Sequence, residues 1–390
     1  MNIETIRSQT KGLDGKLFFN SAGSSLMQDQ VIECMQDYLE EERMIGGYAA
    51  AAKYQESING VYTQVAKLIK AKEKNIAFAT SATDAYNQAL SSIPFQSKDV
   101  ILTTNNDYIS NQLAFIGLQK RYDVEIVRVR DLEQGGMDTK DCIEKIGRLK
   151  PKLVAITHIP TNSGLVQDVY SIAPACKSSG AYYLVDTCQS IGQLNISVET
   201  LKCDFLTATG RKFMRGPRGS GFLYASDRVL DEGLTPLFTE QCGAEWTDEF
   251  GYKIIDSAAR FERWERNCSN VLGLAKATEI INTIGIENIE KRNNELQLFA
   301  RNQLNKLSNI QCTDIGENLC NLITFTSADG SISKIVDLFA THNVSYSITG
   351  IKSALIDFTK RQLTEVVRIS PHYFNTEEEI NKLVDILKKL

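Results

Sequence analysis

The chain has 390 residues, 43% apolar and 23% charged, with a formal net charge of −5. That length exceeds the size at which one core stops growing, so one large and one smaller domain are expected, and an acidic balance without a basic block gives no electrostatic reason to expect nucleic acid or an anionic membrane as partner. No apolar run approaches the roughly 18 residues of a membrane span, and Met1-Asn-Ile-Glu-Thr5 lacks the basic and apolar regions of a signal peptide, so the expected address is cytoplasmic.

In chain order, β-rich apolar runs fall at Ile76–Thr80, Val100–Thr103, Val124–Val127, Leu153–Thr157, Tyr182–Val185, Phe205–Thr207 and Gly221–Tyr224. Helix-length amphipathic stretches separate them near 84–93, 107–121, 138–148 and 168–179. Parallel strands need such long crossovers, and continuous apolar strands fit a sheet covered on both faces, so the expected fold is α/β with a mostly parallel seven-stranded sheet between helices. After about Trp264 the pattern changes to a long helical tract, Cys268 to Leu307, then strand-like Leu319–Phe325, a helix near 331–342, Val344–Ile348, Glu365–Ile369 and a final helix from Thr376. This predicts a large domain over 16–265 and a smaller α+β domain from 1–15 and 266–390. The nine cysteines stand singly with no CxxC spacing, and the three histidines are dispersed, so buried thiols are expected and no zinc site or other metal site is readable.

Candidate site residues fall just after strands, where open α/β sheets place ligands. Ser81, Ala82 and Thr83 open a helix after Ile76–Thr80, so backbone N–H groups and the helix dipole suit a phosphate. Lys212 follows the run Asp204–Thr209 and precedes the glycine-rich turn Phe213-Met-Arg-Gly-Pro-Arg-Gly-Ser-Gly221, while Tyr182–Val185 ends in a carboxylate, Asp186. An amine and an anion so placed suit a Schiff base with pyridoxal 5'-phosphate and a charge that keeps the cofactor's ring nitrogen protonated. Thr209 and Arg211 flank the lysine and are placed to contact phosphate, with Arg215 and Arg218 as weaker candidates. No GxGxxG follows the first strand, which argues against a nucleotide-binding oxidoreductase. The lysine and the acid are both present, which argues against a non-catalytic scaffold.

Asp186-Thr-Cys-Gln189, Cys203-Asp-Phe-Leu-Thr-Ala-Thr-Gly-Arg-Lys212 and Arg215-Gly-Pro-Arg-Gly-Ser-Gly-Phe-Leu-Tyr224 together resemble the class V aminotransferase and cysteine desulfurase family of fold-type I pyridoxal-phosphate enzymes, nearly end to end from about Phe18. The resemblance implies that Lys212 carries the cofactor as a Schiff base and then moves the substrate's α-proton. It implies that Tyr108 stacks on the ring, that Asn162 bonds its phenolic oxygen, that Gln189 bonds the same oxygen or the Schiff base, and that Arg368 pairs with the substrate α-carboxylate, Asn162 standing beside it. Arg211 departs from the histidine common before the lysine in desulfurases. Arg260-Phe-Glu-Arg-Trp264 and Asn267 resemble the stretch that reaches a neighbouring subunit's site, so a homodimer is implied.

With His158-Ile-Pro-Thr-Asn-Ser-Gly164 and Gly210–Gly219, that stretch looks most like the branch holding hercynylcysteine sulfoxide lyase and isopenicillin N epimerase relatives. Group II desulfurases carry a persulfide cysteine in the loop before the arginine, and Val344–Phe358 has none. The likeness favours β-elimination from a sulfur-containing amino acid, with transamination or epimerisation from the same site as alternatives. Cys242 is the other cysteine expected near the site. The segments Gly46–Ala52 and Ile348–Phe358 are expected to shape substrate choice.

Overall fold

The computed structural model describes residues 1–390. A two-residue strand, β1 (Leu17–Phe18), precedes a long helical stretch that ends at Ile69, and the main sheet follows. Its strands are β2 (Ile76–Ala79), β3 (Val100–Thr103), β4 (Glu125–Arg128), β5 (Leu153–Thr157), β6 (Tyr182–Asp186), β7 (Phe205–Thr209) and β8 (Gly221–Ala225), in the spatial order β2-β8-β7-β6-β5-β3-β4. The expected seven-stranded, mostly parallel sheet is therefore present, and β8 alone runs antiparallel, between β2 and β7. The connection from β7 to β8 is the short turn that holds Lys212, too brief for the crossover that parallel pairing would require.

β2 and β5 to β7 are buried along their whole length. One face packs Phe78, Leu102, Val154, Tyr183, Leu206 and Phe222 into a core shared with Val271, Leu274 and Ile281. The other packs Ala79, Ile101, Ala155, Leu184, Phe205 and Leu223 against Tyr86, Phe115 and Phe261. Chain order reverses between β3 and β5, which opens a crevice at their C-terminal ends.

A hairpin of β9 (Ala244–Asp248) and β10 (Gly251–Ile254) follows. A smaller sheet is formed by β11 (Ile310–Cys312), β12 (Ile323–Ser327), β14 (Ser347–Gly350) and β15 (Glu365–Ile369), while β13 (Val344–Ser345) pairs with β1. Phe19, Leu296, Phe325, Val367, Ile369 and Leu383 form its core. The N-terminal helix Ile3–Ser8 is tied to this part through Arg7, which donates to Glu379 and to the Phe374 carbonyl, both at 2.8 Å.

Several elements differ from the sequence expectation. The tract from Cys268 to Leu307 is two helices, Cys268–Ile284 and Ile286–Leu304, because Gly285 turns the backbone to φ +87°. The helix expected over 168–179 begins only at Ala173; Asp168 accepts from the Tyr170 and Ser171 amides in a turn, and Pro174 fits only a first helical turn. The strand expected at Leu319–Phe325 starts at Ile323, since Leu319 bridges to Leu165 instead. Of the two segments expected to shape substrate choice, the first is largely the helix Gly47–Lys53, and the second runs into the helix Leu355–Arg361.

Candidate active site

The crevice at the C-terminal ends of β2, β3, β5, β6 and β7 leads into a cavity lined by Ser81, Ala82, Thr83, Tyr108, Asp186, Gln189, Thr209, Arg211 and Lys212, joined by Thr157, Ile159, Thr161 and Cys188. Nine residues singled out in the sequence thus meet in one space.

Each reaches it by a local device. Ser81 caps the helix Ala82–Ser92, its hydroxyl accepting from the Asp84 amide at 3.1 Å, so this helix end meets the cavity. Gly221 of β8 closes the floor: a Cβ there would lie 2.4 Å from the Ala208 carbonyl and 3.2 Å from the Ala82 nitrogen. The turn after β7 is tightened by Gly210, whose amide donates to the Ser220 carbonyl at 2.9 Å, and it presents Arg211 and Lys212 together. Arg211 donates to the Gly23 carbonyl, and the Ser25 amide donates back to its carbonyl at 2.8 Å, so the N-terminal segment covers this edge.

Asp186 ends β6 and is buried, accepting from the Cys188 amide at 2.9 Å and from Asn111 at 3.1 Å. Gln189 donates to the Ala22 carbonyl and the Thr161 hydroxyl, leaving its buried Oε1 without a partner. Lys212 is 7% exposed. Burial pushes its pKa down to about 8, and the neighbouring Arg211 acts in the same direction. The Cys188 thiol is held well above its ordinary range by burial and by Asp186, so it stays protonated.

Arg368, on β15, is buried and donates through Nη1 to the Thr161 carbonyl at 2.8 Å and hydroxyl at 2.7 Å, while Nε has no partner. Asn162 stands apart from the cavity wall; its amide is taken by Asp357 at 2.7 Å and Asn106 at 3.1 Å.

Three arginines and a cysteine depart from expectation. Arg215 is buried away from the site, donating to the Leu26 carbonyl, Tyr373 and Thr10 while lying over the Phe374 ring. Its neighbour Arg218 is exposed and touches the cavity only through charge, on Arg211. Arg260, expected to reach a neighbouring subunit, is buried in its own chain, where the carbonyls of Leu230, Leu234, Ile255 and Ser257 take its N–H groups. Cys242 does not line the cavity; Cys188 does, and the sequence reading passed over it although it lies between Asp186 and Gln189. Also missed were Asp107, Asn111, Thr157 and Asp357. An Asp and an Asn four apart in a helix-opening segment could have signalled the first two.

These groups fit a phosphorylated pyridine aldehyde: N–H groups at a helix end and Thr209 for phosphate, a carboxylate for a ring nitrogen, an amine for a carbonyl carbon, and in the same lining Gln189, whose buried Oε1 has no partner.

The family model described as "Aminotransferase class-V" matches residues 17–383. A relative named probable cysteine desulfurase from Methanothermobacter thermautotrophicus is 28% identical, the alignment covering 100% of this chain and 98% of that one. The apo structure of a cysteine desulfurase from Thermococcus onnurineus NA1 superimposes with a TM-score of 0.91 at 24% identity, covering 100% of this chain and 98% of the other. The cystine C-S lyase C-DES in complex with its product cysteine persulfide gives a TM-score of 0.87 at 21% identity, over 98% and 100% of the two chains.

Proposed function

The chain belongs to the aminotransferase class-V family, a pyridoxal-phosphate-dependent enzyme on that footing, and from this premise we propose that it cleaves a C–S bond in a sulfur-containing α-amino acid by β-elimination. The observation that carries the reading is Lys212, a buried amine with a lowered pKa in the same cavity as Asp186, Gln189 and Arg211.

When bound, pyridoxal phosphate supplies an electron-accepting ring that stabilises negative charge at the substrate's α-carbon. Asp186 keeps a proton on the ring nitrogen, since an adjacent anion favours the charged form. The end of the helix at Ser81–Thr83, with Thr209 and Arg211, takes the phosphate. Arg368 holds the substrate carboxylate; its side chain already leans on Thr161, and its free Nε is a donor awaiting an acceptor. Asn162 orients the wall beside it through Asp357. With a pKa near 8, Lys212 is neutral in a useful fraction at neutral pH, so its amine takes the α-proton as general base and gives a proton to the departing sulfur as general acid.

Relatives named for desulfuration support C–S cleavage. Desulfuration through a protein persulfide needs an accessible thiolate, whereas Val344–Phe358 holds no cysteine and Cys188 in the cavity is kept protonated. Elimination into solvent needs neither. The likeness to hercynylcysteine sulfoxide lyase and epimerase relatives stays within this proposal. Transamination is the second reading, because the same residues prepare its first step. A homodimer belongs to the proposal too: exposed Trp246, Phe250 and Trp264 offer apolar surface to a second copy.

The test is product analysis with cysteine, cystine and related amino acids. Elimination yields pyruvate and a sulfur product, both lost in Lys212→Ala together with the bound cofactor's visible absorption. Alanine as the carbon product would mean desulfuration, and pyridoxamine phosphate without pyruvate would mean transamination; either result overturns the elimination reading.

A further inference from the structure

Behind the cavity wall lies a second carboxylate that the site as described does not use. Asp107 follows β3, four residues before Asn111. Its Oδ1 accepts from the Tyr108 amide at 2.7 Å, from Asn111 at 2.9 Å and from the Thr157 hydroxyl, while Oδ2 accepts from the Thr103 hydroxyl at 2.9 Å. The same Asn111 nitrogen donates to Asp186 Oδ2 at 3.1 Å. One amide group thus links two acids, spending one N–H on each.

The geometry points to Asp107 as a positioning residue: through Asn111 it fixes the Asp186 carboxylate, and through its bond to the Tyr108 amide it fixes the aromatic side chain at the same wall. The arrangement rests on the pyridoxal-phosphate reading above. An amide side chain left alone can turn its carbonyl toward Asp186, which would repel the acid; Asp107 accepts only, so it selects the orientation that gives Asp186 a donor. Asp107 has no cation in hydrogen-bonding range of its own. The titratable and charged groups about it are Asp186, Arg128 and Tyr86. Burial pushes its pKa up to about 6, with Asp186 adding to the rise against the hydroxyl and amide donors that lower it. Two nearby negative charges favour a protonated ring more than one does.

The experiment uses the full chain reconstituted with pyridoxal phosphate and compares wild type with Asp107→Asn and Asn111→Leu. Three quantities are read: the cofactor dissociation constant, the pH midpoint of the bound cofactor's visible absorption, and the melting temperature of the cofactor-free protein. Loss of one charge or of the bridging amide weakens cofactor binding about tenfold, the size of one pKa unit. It also moves the absorption midpoint to lower pH. A purely structural role would lower the melting temperature while leaving the dissociation constant and midpoint at wild-type values, and that result overturns the inference. Asn111→Leu keeps Asp107 intact, so a folding defect in one variant leaves the other to decide. If the wild type itself fails to bind pyridoxal phosphate, the functional reading is overturned and this inference with it; wild-type binding with unchanged variants overturns this inference alone.

Discussion

Lys212 illustrates how much a single buried charge can report. Its pKa falls from 10.5 to about 8 on folding, so between those values the unfolded chain holds a proton that the folded chain has released. Stability therefore rises with pH across that window, at up to about 1.4 kcal/mol per pH unit. Below pH 8 both states are protonated and the slope from this residue vanishes. Urea unfolding of the cofactor-free protein at a series of pH values should show this slope, and Lys212→Met should flatten it. His158 gives the same trend in the acid range. Buried, with its pKa lowered to about 4, it stays neutral in the fold while the unfolded chain gains a proton below about 6.5, so stability drops as pH falls from 6.5 to 4. The lysine and Asp186 were legible in the sequence because each interrupts an apolar strand end with a charge. Asp107 shows there only its spacing to Asn111; its bond from Thr157 and its link through Asn111 to Asp186 reach other strands, and only the folded sheet brings these groups together.

At the level of elements, strand ends carried the reading: β2, β3, β5, β6 and β7 each deliver at least one cavity residue just beyond their last paired position. Where an element's limits depend on a backbone angle, the sequence was less informative. Gly285 separates two long helices at φ +87° and ψ 120°, a conformation that a side chain strongly disfavours, and an added Cβ would sit 3.0 Å from the Asn288 amide nitrogen. The periodicity on either side reads as one continuous helix because both halves are amphipathic. Gly285→Ala should cost about 1–3 kcal/mol, the usual range for such backbone strain, seen as a lower urea midpoint with the slope unchanged. Thr376, by contrast, was recognisable as a cap, and it forms the full capping box with Glu379. Arg215 and Arg260 show the converse difficulty. Both sit in segments that resemble site motifs, yet each turns inward to carbonyl groups that no local pattern reveals.

Across the whole molecule, the loop after β5 is held at three points by residues of the C-terminal part: Arg368 of β15 to Thr161, Asp357 of the helix Leu355–Arg361 to Asn162, and Asp314, just after β11, to the Gly164 amide at 2.9 Å. The Asp314 side chain is itself covered, paired with Arg301 at 2.7 Å and accepting from the Thr324 hydroxyl at 2.7 Å. The loop that bears Thr161 and Asn162 therefore takes its position from residues some 150 to 200 further along the chain, as the separations of 150 for Gly164–Asp314 and 207 for Thr161–Arg368 show. Asp314→Asn leaves Arg301 buried without its counter-charge, a change that costs about 3–5 kcal/mol in comparable buried pairs. It also loosens the grip on Gly164. Since Thr161 braces the Arg368 guanidinium, the slackened loop should impair recognition of the substrate carboxylate, raising KM more than it lowers kcat. Denaturant unfolding together with steady-state kinetics checks both effects: a stability loss with KM unchanged would mean that the C-terminal part supports the loop without setting the arginine's aim.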